Sequence, residues 1–218
     1  DLIYRELFIP EMRKFAEDYF KEDKLNLLVN VESFIELIED SDCLDKIVDY
    51  VQMLIIKSKE SPEANFLSAD INIYFPLRIL AEKGKALDLA QDFLQDMLSD
   101  IRLGDDEEFE SVCTALAIVL SSVLISQGVD IGNVKNIIDL ALEYKENDKT
   151  IRALYCFCCF LTEKEIFVKE VLEAAEALLK IDKEYAFGIV DSISDQEKLS
   201  EKSLEIYSKI QKLQKDAQ

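Results

Sequence analysis

The sequence predicts an all-α fold, and three observations lead to this class. Glycine and proline are scarce, with five and three residues among 218, whereas β-hairpins and sandwiches need many turn residues of these types. Apolar residues recur at helical spacing through most of the chain, and no segment alternates apolar and polar residues over the length of a strand. The hydrophobic fraction of 49% is large enough for a packed core.

Turn residues and apolar periodicity together give the expected helices in order. They span about residues 10–20, 25–39, 41–59, 62–83, 85–102, 105–127, 132–144, 149–162, 165–181, 184–192 and 196–215. Ser41 or Asp42 is expected to cap the third helix. Pro76 is expected to break or kink the fourth helix and so to divide it into two pieces. Capping boxes at residues 162–165 (TEKE) and 194–197 (SDQE) mark two later helix starts. About eleven helices with short connections predict a stack of antiparallel helical hairpins.

The hairpins recur at a regular spacing. Turn markers at Gly128, Lys164 and Asp195 lie about 31 to 36 residues apart, which is typical of helical solenoids. The clearest unit covers residues 134–163, where VKNIIDLALEY forms a first helix, KEND forms a turn and DKTIRALYCFCCFL forms a second helix.

The second helix of this unit resembles that of armadillo and HEAT repeats. Asp148, Ile151, Arg152 and Cys156 reproduce the acid, the aliphatic–arginine pair and the small apolar residue that recur there. The resemblance implies a right-handed armadillo/HEAT-like α-solenoid, with residues 1–218 as one domain and residues 196–218 as a C-terminal capping helix. An alternative is a tetratricopeptide-like array, because AAEALLKIDKEYA at residues 174–186 looks like the end of such a repeat, with Lys183 in place of the usual proline.

Three of the five cysteines lie together in the stretch CFCC at residues 156–159. A structural zinc site needs four ligands, usually two cysteine pairs or added histidines, and the chain has no histidine. The cluster lies within a helix that is apolar nearly all round, and such a helix is normally buried on several sides. We therefore expect these thiols to pack as small hydrophobic groups and to bind no metal.

The sequence also argues against catalysis. Without histidine the commonest general base is missing, and no Walker loop, dinucleotide-binding glycine motif or nucleophile elbow is present. We expect no catalytic residue and no cofactor. An enzyme with a carboxylate-bound metal is the remaining alternative of this class.

Net charge and cysteine usage indicate the environment of the protein. A formal net charge of −20 repels nucleic acid and anionic membranes and favours a basic protein partner. The odd number of cysteines fits a reducing compartment, so we expect an intracellular protein, cytoplasmic or nuclear. The longest apolar run, residues 112–125, is too short to cross a bilayer, and no membrane span is expected.

The feature that calls for a partner is a row of aspartates on the helix expected at residues 85–102. Asp88, Asp92, Asp96 and Asp100 recur every four residues, and we call this row the aspartate ridge. Like charges at this spacing cost about 0.2–0.5 kcal/mol per pair. The ridge leads into a second group, the acidic turn, formed by Asp105, Asp106, Glu107 and Glu108.

Three interpretations of these acids remain open from the sequence. They form a solvated face, they dock a basic partner, or they pair internally with lysines of the last helix, namely Lys198, Lys202, Lys209, Lys212 and Lys215. The leading hypothesis is a non-enzymatic scaffold or adaptor that holds a basic protein segment on the acidic surface. The alternative is a structural or regulatory subunit of a larger complex with an apolar interface.

Overall fold

A computed structural model describes residues 38–60, 66–101, 107–132 and 134–217, together with residues 14 and 35. All regular structure in these residues is helical, with nine α-helices, one 3₁₀ turn and no strand, which confirms the predicted all-α class. The helices expected at 10–20 and 25–39 lie outside the described residues, apart from residues 14 and 35, which are helical, and residues 38 and 39, which are not. The total of about eleven helices therefore stays a prediction.

The helices of the described part are numbered here in chain order. They are α1 Ser41–Glu60, α2 Phe66–Glu82, α3 Leu87–Ile101, α4 Glu107–Ser126, α5 Val134–Glu143, α6 Asp148–Glu163, α7 Val168–Leu178, α8 Lys183–Asp191 and α9 Glu201–Ala217. The 3₁₀ turn Gln196–Lys198 precedes α9. The chain divides into two compact units, the first comprising Asp1–Asp92 with Ser126–Val129 and the second comprising Phe93–Ile125 with Asp130–Gln218.

In the first unit α1 packs against α2. The prediction that Pro76 divides the fourth helix is wrong, because α2 runs without interruption from Phe66 to Glu82 with Pro76 inside it. A proline at this position removes one backbone hydrogen bond. Pro76 itself is buried, as are its neighbours Tyr74 and Leu77, so burial of the apolar surface of α2 offsets the loss.

In the second unit each helix packs against those that follow it closely in the chain. Helix α5 contacts α6 and α7, α6 contacts α7 and α8, α7 contacts α8 and α9, and α8 contacts α9. A buried hydrogen-bonded pair also joins α4 to α6. The Thr150 hydroxyl donates to the Ser111 carbonyl at 2.9 Å, and the Ser111 hydroxyl lies 2.8 Å from Thr150 Oγ1. Since the only hydroxyl proton of Thr150 is already donated, Ser111 is the donor in the second bond.

The connections α2–α3 and α6–α7 share one backbone conformation. Gly84 and Glu165 have positive φ angles of 71° and 56°, and the residues two positions later, Ala86 and Phe167, have φ angles of 54° and 53°. In each turn the amide of the residue between them donates to a carbonyl five positions earlier, at 2.8 and 3.1 Å. This bond closes the preceding helix in the manner of a Schellman motif.

The connections α5–α6 and α7–α8 use a different device. The side chain of Asn147 accepts the amides of Lys149 and Thr150. In the same way, the side chain of Asp182 accepts the amides of Glu184 and Tyr185. Side-chain capping of this kind satisfies amides that have no partner within the helix. In the second unit the connections from α5 to α8 therefore alternate between a side-chain cap and a turn with two positive φ angles.

Three predicted helix caps are wrong. Residues 162–165 do not start a helix, because Thr162 still belongs to α6 and its hydroxyl donates to the Cys159 carbonyl. Residues 194–197 lead into the 3₁₀ turn, and Ser200 caps α9 by accepting the amide of Ser203. Helix α1 is capped by the Asp40 side chain, which accepts the amide of Cys43 at 2.9 Å. Ser41 and Asp42 are not the capping residues.

The close contact between α6 and α8 gives a test of the packing. A Cβ atom at Gly188 would lie 2.8 Å from the Tyr155 hydroxyl oxygen, and the Tyr155 ring is held by stacking on Tyr185 with centroids 4.7 Å apart. Overpacking costs about 1–3 kcal/mol, while alanine gains about 1 kcal/mol in helix propensity. We expect Gly188→Ala to lower the free energy of unfolding by up to about 2 kcal/mol in urea denaturation. The cost should shrink in a Tyr155→Phe background, and a stabilising Gly188→Ala would show that the ring moves aside.

Candidate protein-binding surface

Helix α3 carries the aspartate ridge opposite an apolar face. Its buried residues are Ala90, Phe93, Leu94, Met97 and Ile101. Asp88 and Asp92 are exposed, whereas Asp96 and Asp100 are half-buried. Helix α3 is therefore amphipathic, with its apolar residues on one side and the aspartate ridge on the other.

The two halves of the aspartate ridge differ in their surroundings. Within the described residues, Asp88 and Asp92 form no hydrogen bond or ion pair. Asp96 and Asp100 each interact with other groups of the chain. The boundary between the two compact units falls within α3, after Asp92. Of the four ridge carboxylates, Asp88 and Asp92 are therefore the two that are both exposed and without a partner among the described residues.

The acidic turn is described only in part. Asp105 and Asp106 lie outside the described residues, whereas Glu107 and Glu108 are exposed in the first turn of α4. Acids at this position are stabilised by the helix dipole. Both glutamates line a surface cavity of about 290 Å³, together with Ser111, Tyr144, Glu146 and Asn147. Glu146 adds a further carboxylate that the sequence does not connect with the acidic turn.

Next to this cavity, Glu110 links α4 to the end of α5. Its Oε2 atom accepts a hydrogen bond of 2.8 Å from the Tyr144 hydroxyl, and its Oε1 atom is buried with no partner among the described residues. Burial and the hydrogen bond to Glu110 raise the pKa of Tyr144 above its usual value. Tyr144 therefore remains a hydrogen-bond donor across the physiological pH range. No sequence pattern indicates this contact.

Three of the five lysines in the last helical segment have partners within the second unit. Lys198 pairs with Glu165 at 2.8 Å, Lys202 pairs with Glu173 at 3.1 Å, and Lys209 pairs with Glu176. Glu173 and Glu176 belong to α7, which packs directly against α9. The hydrogen bond to Lys202 lowers the pKa of Glu173. These three lysines therefore neutralise glutamates of the second unit. They are for this reason not the internal partners of the aspartate ridge that the sequence allowed.

The cysteines of residues 156–159 do not share one environment. Cys158 is fully buried, and burial raises the pKa of its thiol. Cys159 is half-buried, whereas Cys156 is exposed. The predicted packing as a small hydrophobic group therefore holds for Cys158 but not for Cys156. None of the five cysteines forms a disulfide, and no group of three or more potential ligands in the described residues is arranged to hold a metal ion.

One described helix has the length and composition to cross a membrane. An 18-residue stretch of helix α4 has a mean hydropathy of 1.9, and 44% of this stretch is buried inside the protein. The apolar run at 112–125 lies within this helix, which the sequence places at residues 105–127 and the structure at Glu107–Ser126. A core helix of a soluble protein passes the same test, and the absence of a membrane span stays a prediction.

The described fold defines an all-α protein with exposed carboxylates on α3 and at the start of α4. Comparisons with protein-family models, curated proteins and solved structures found no match to the chain. The resemblance to armadillo and HEAT repeats therefore stays a prediction.

Proposed function

We propose that the chain is a non-enzymatic scaffold or adaptor that binds a basic segment of a partner protein through the aspartate ridge and the acidic turn. The observation that carries the proposal is the state of Asp88 and Asp92, which are exposed and form no ion pair within the described residues. The like-charge repulsion along α3 is not relieved there by a cation of the chain. A basic partner segment supplies that cation.

We further propose that the architecture is a right-handed armadillo/HEAT-like α-solenoid, with α9 as its capping helix. Two observations support this architecture. Helices α5–α9 pack in chain order, each against the next one or two, as expected for stacked hairpins. Side-chain caps at Asn147 and Asp182 recur 35 residues apart, a spacing within the range of helical repeats.

Charge and apolar contacts have different roles in the proposed binding. Exposed carboxylates attract a basic segment at a distance and exclude acidic competitors, while apolar anchors supply most of the affinity. Because the Debye length is about 8 Å at physiological salt, raising the ionic strength weakens the attraction between exposed charges. Five cysteines that form no disulfide fit the proposed cytoplasmic or nuclear setting.

The test compares two variants with the same change in net charge. Proteins retained from cell extract at low salt would be identified, and the binding of the most basic one would be remeasured with both components purified. We expect Asp88→Asn/Asp92→Asn to weaken this binding at least about tenfold, or about 1.4 kcal/mol. The difference from the parent chain should shrink as salt is raised.

The control is Glu201→Gln/Glu205→Gln. These two glutamates are exposed on α9 at the same four-residue spacing and have no ion pair among the described residues. The control variant should bind as the parent chain does. Equal weakening in both variants would mean that only net charge matters, and unchanged binding in both would mean that the ridge is not the docking surface.

A further inference from the structure

An open apolar groove of about 410 Å³ lies between α4 and α6, within the second unit. Its lining residues are Ile118, Val119, Ser122, Lys149, Arg152, Ala153, Cys156, Phe157 and Phe160. The lining residues that belong to α6 form a single stripe along one side of that helix, because they recur every three or four residues from Lys149 to Phe160. The groove lies on neither the aspartate ridge nor the acidic turn, and its chemistry is different.

Helix α4 is apolar on its exposed side as well as on its buried side. It carries no charged residue from Ser111 to Ser126, and a helix that is apolar all round is normally buried on all sides. Yet Val112 and Val119 on its outer side are 39% and 37% exposed. Val119 adjoins the apolar groove, and exposed apolar surface beside such a groove is a candidate interaction site.

The α6 wall of the groove carries two positive charges. Lys149 and Arg152 are exposed on the first turns of α6, and neither forms an ion pair within the described residues. They contrast with Lys198, Lys202 and Lys209, each of which pairs with a glutamate. In a chain with a net charge of −20, these two cations leave this edge of an apolar groove positively charged.

We propose that the groove binds an amphipathic, acidic helix of a partner protein. Its apolar stripe would lie on Val119, Cys156 and Phe160, and its carboxylates would meet Arg152 and Lys149. The α6 stripe from Lys149 to Phe160 rises about 16 Å, which matches three turns of a helix with apolar anchors at i, i+4 and i+7. This surface is distinct from the proposed binding of basic segments and selects the opposite charge.

Cys156 makes occupancy of the groove directly measurable. It is exposed in the groove, whereas Cys43, Cys113 and Cys158 are buried and Cys159 is half-buried. A maleimide reagent should therefore modify Cys156 first, and an occupant of the groove should protect it. A displayed library of helical peptides with randomised flanks would be selected on the 218-residue chain. The selected peptides would then be tested for protection of Cys156.

The matched variants are Lys149→Glu/Arg152→Glu and Lys212→Glu/Lys215→Glu. Both pairs are exposed, three residues apart and without ion pairs among the described residues. We expect acidic amphipathic peptides to be enriched and to slow Cys156 modification at least about tenfold, because the groove selects by charge and apolar contact. The first variant should lose this protection, and the second should keep it. Thermal unfolding of each variant would establish that the fold is intact.

Four outcomes would overturn the proposal. They are selection of no peptide that protects Cys156, enrichment of lysine-rich peptides, concentration-dependent dimerisation of the chain that itself protects Cys156, and protection by neutral phosphatidylcholine vesicles. The third outcome would assign the groove to a second copy of the chain, and the fourth would assign it to lipid.

Discussion

Replacing Phe157 by alanine should lower the free energy of unfolding by about 3–5 kcal/mol. Phe157 is 1% exposed and is among the largest fully buried side chains of the protein. It lies on the inner side of α6, where its loss would leave a cavity that rigid neighbouring helices fill only in part. Urea denaturation followed by circular dichroism would measure the change from the shift in midpoint at constant slope.

Val119→Ser is the control for this experiment. Val119 lines the same groove from α4 but is 37% exposed, so its replacement should cost no more than about 1 kcal/mol. If Val119→Ser proves as costly as Phe157→Ala, the outer side of α4 is packed in solution and the groove does not exist there.

Thr150→Val should lower the free energy of unfolding by about 1–3 kcal/mol, although the two side chains have nearly the same shape. Thr150 is fully buried and Ser111 is 2% exposed. Valine keeps the packing but removes both the acceptor for the Ser111 hydroxyl and the donor to the Ser111 carbonyl. A buried hydroxyl without a partner then remains on α4.

Ser111→Ala completes a double-mutant cycle with Thr150→Val. The double variant Ser111→Ala/Thr150→Val removes the stranded hydroxyl, so it should be more stable than Thr150→Val by about 1 kcal/mol or more. Denaturation of the four proteins of the cycle gives the coupling energy. Strictly additive costs would mean that the two hydroxyls do not interact in solution.

Helices with a clear apolar period were predicted well from the sequence. The helix expected at residues 85–102 is observed as Leu87–Ile101, and the one expected at residues 149–162 is observed as Asp148–Glu163. In α3 the buried set follows the apolar stripe, because burial of that stripe is what stabilises a helix in a protein.

Local signals failed where tertiary packing decided the outcome. Pro76 remains inside α2 because the surrounding apolar residues are buried. The sequence at 162–165 matches a capping box, but the adjacent Leu161 is fully buried, which fixes this turn within α6. A capping motif shows only that a helix can start at these residues. Burial of the neighbouring core residues decides whether a helix does start there.

Only part of the candidate site could be predicted. The exposure of Asp88 and Asp92 follows from helical periodicity, since the opposite side of α3 is apolar. The pairing of Lys202 with Glu173 and the groove between α4 and α6 depend on contacts between residues about 30 or more apart in the chain. One sequence carries no signal for such contacts, because any of several acids or apolar stripes would fit.

The connections α2–α3 and α6–α7 share their backbone torsion angles but not their side chains. Gly84 and Glu165 occupy equivalent positions, as do Ala86 and Phe167, and the side chains within each pair differ in size. Mutations at such positions can accumulate while the path of the chain is preserved, provided that each new residue tolerates a left-handed conformation. The similarity between the two connections therefore lies in their torsion angles, so a comparison of torsion angles detects it where a residue-by-residue alignment does not.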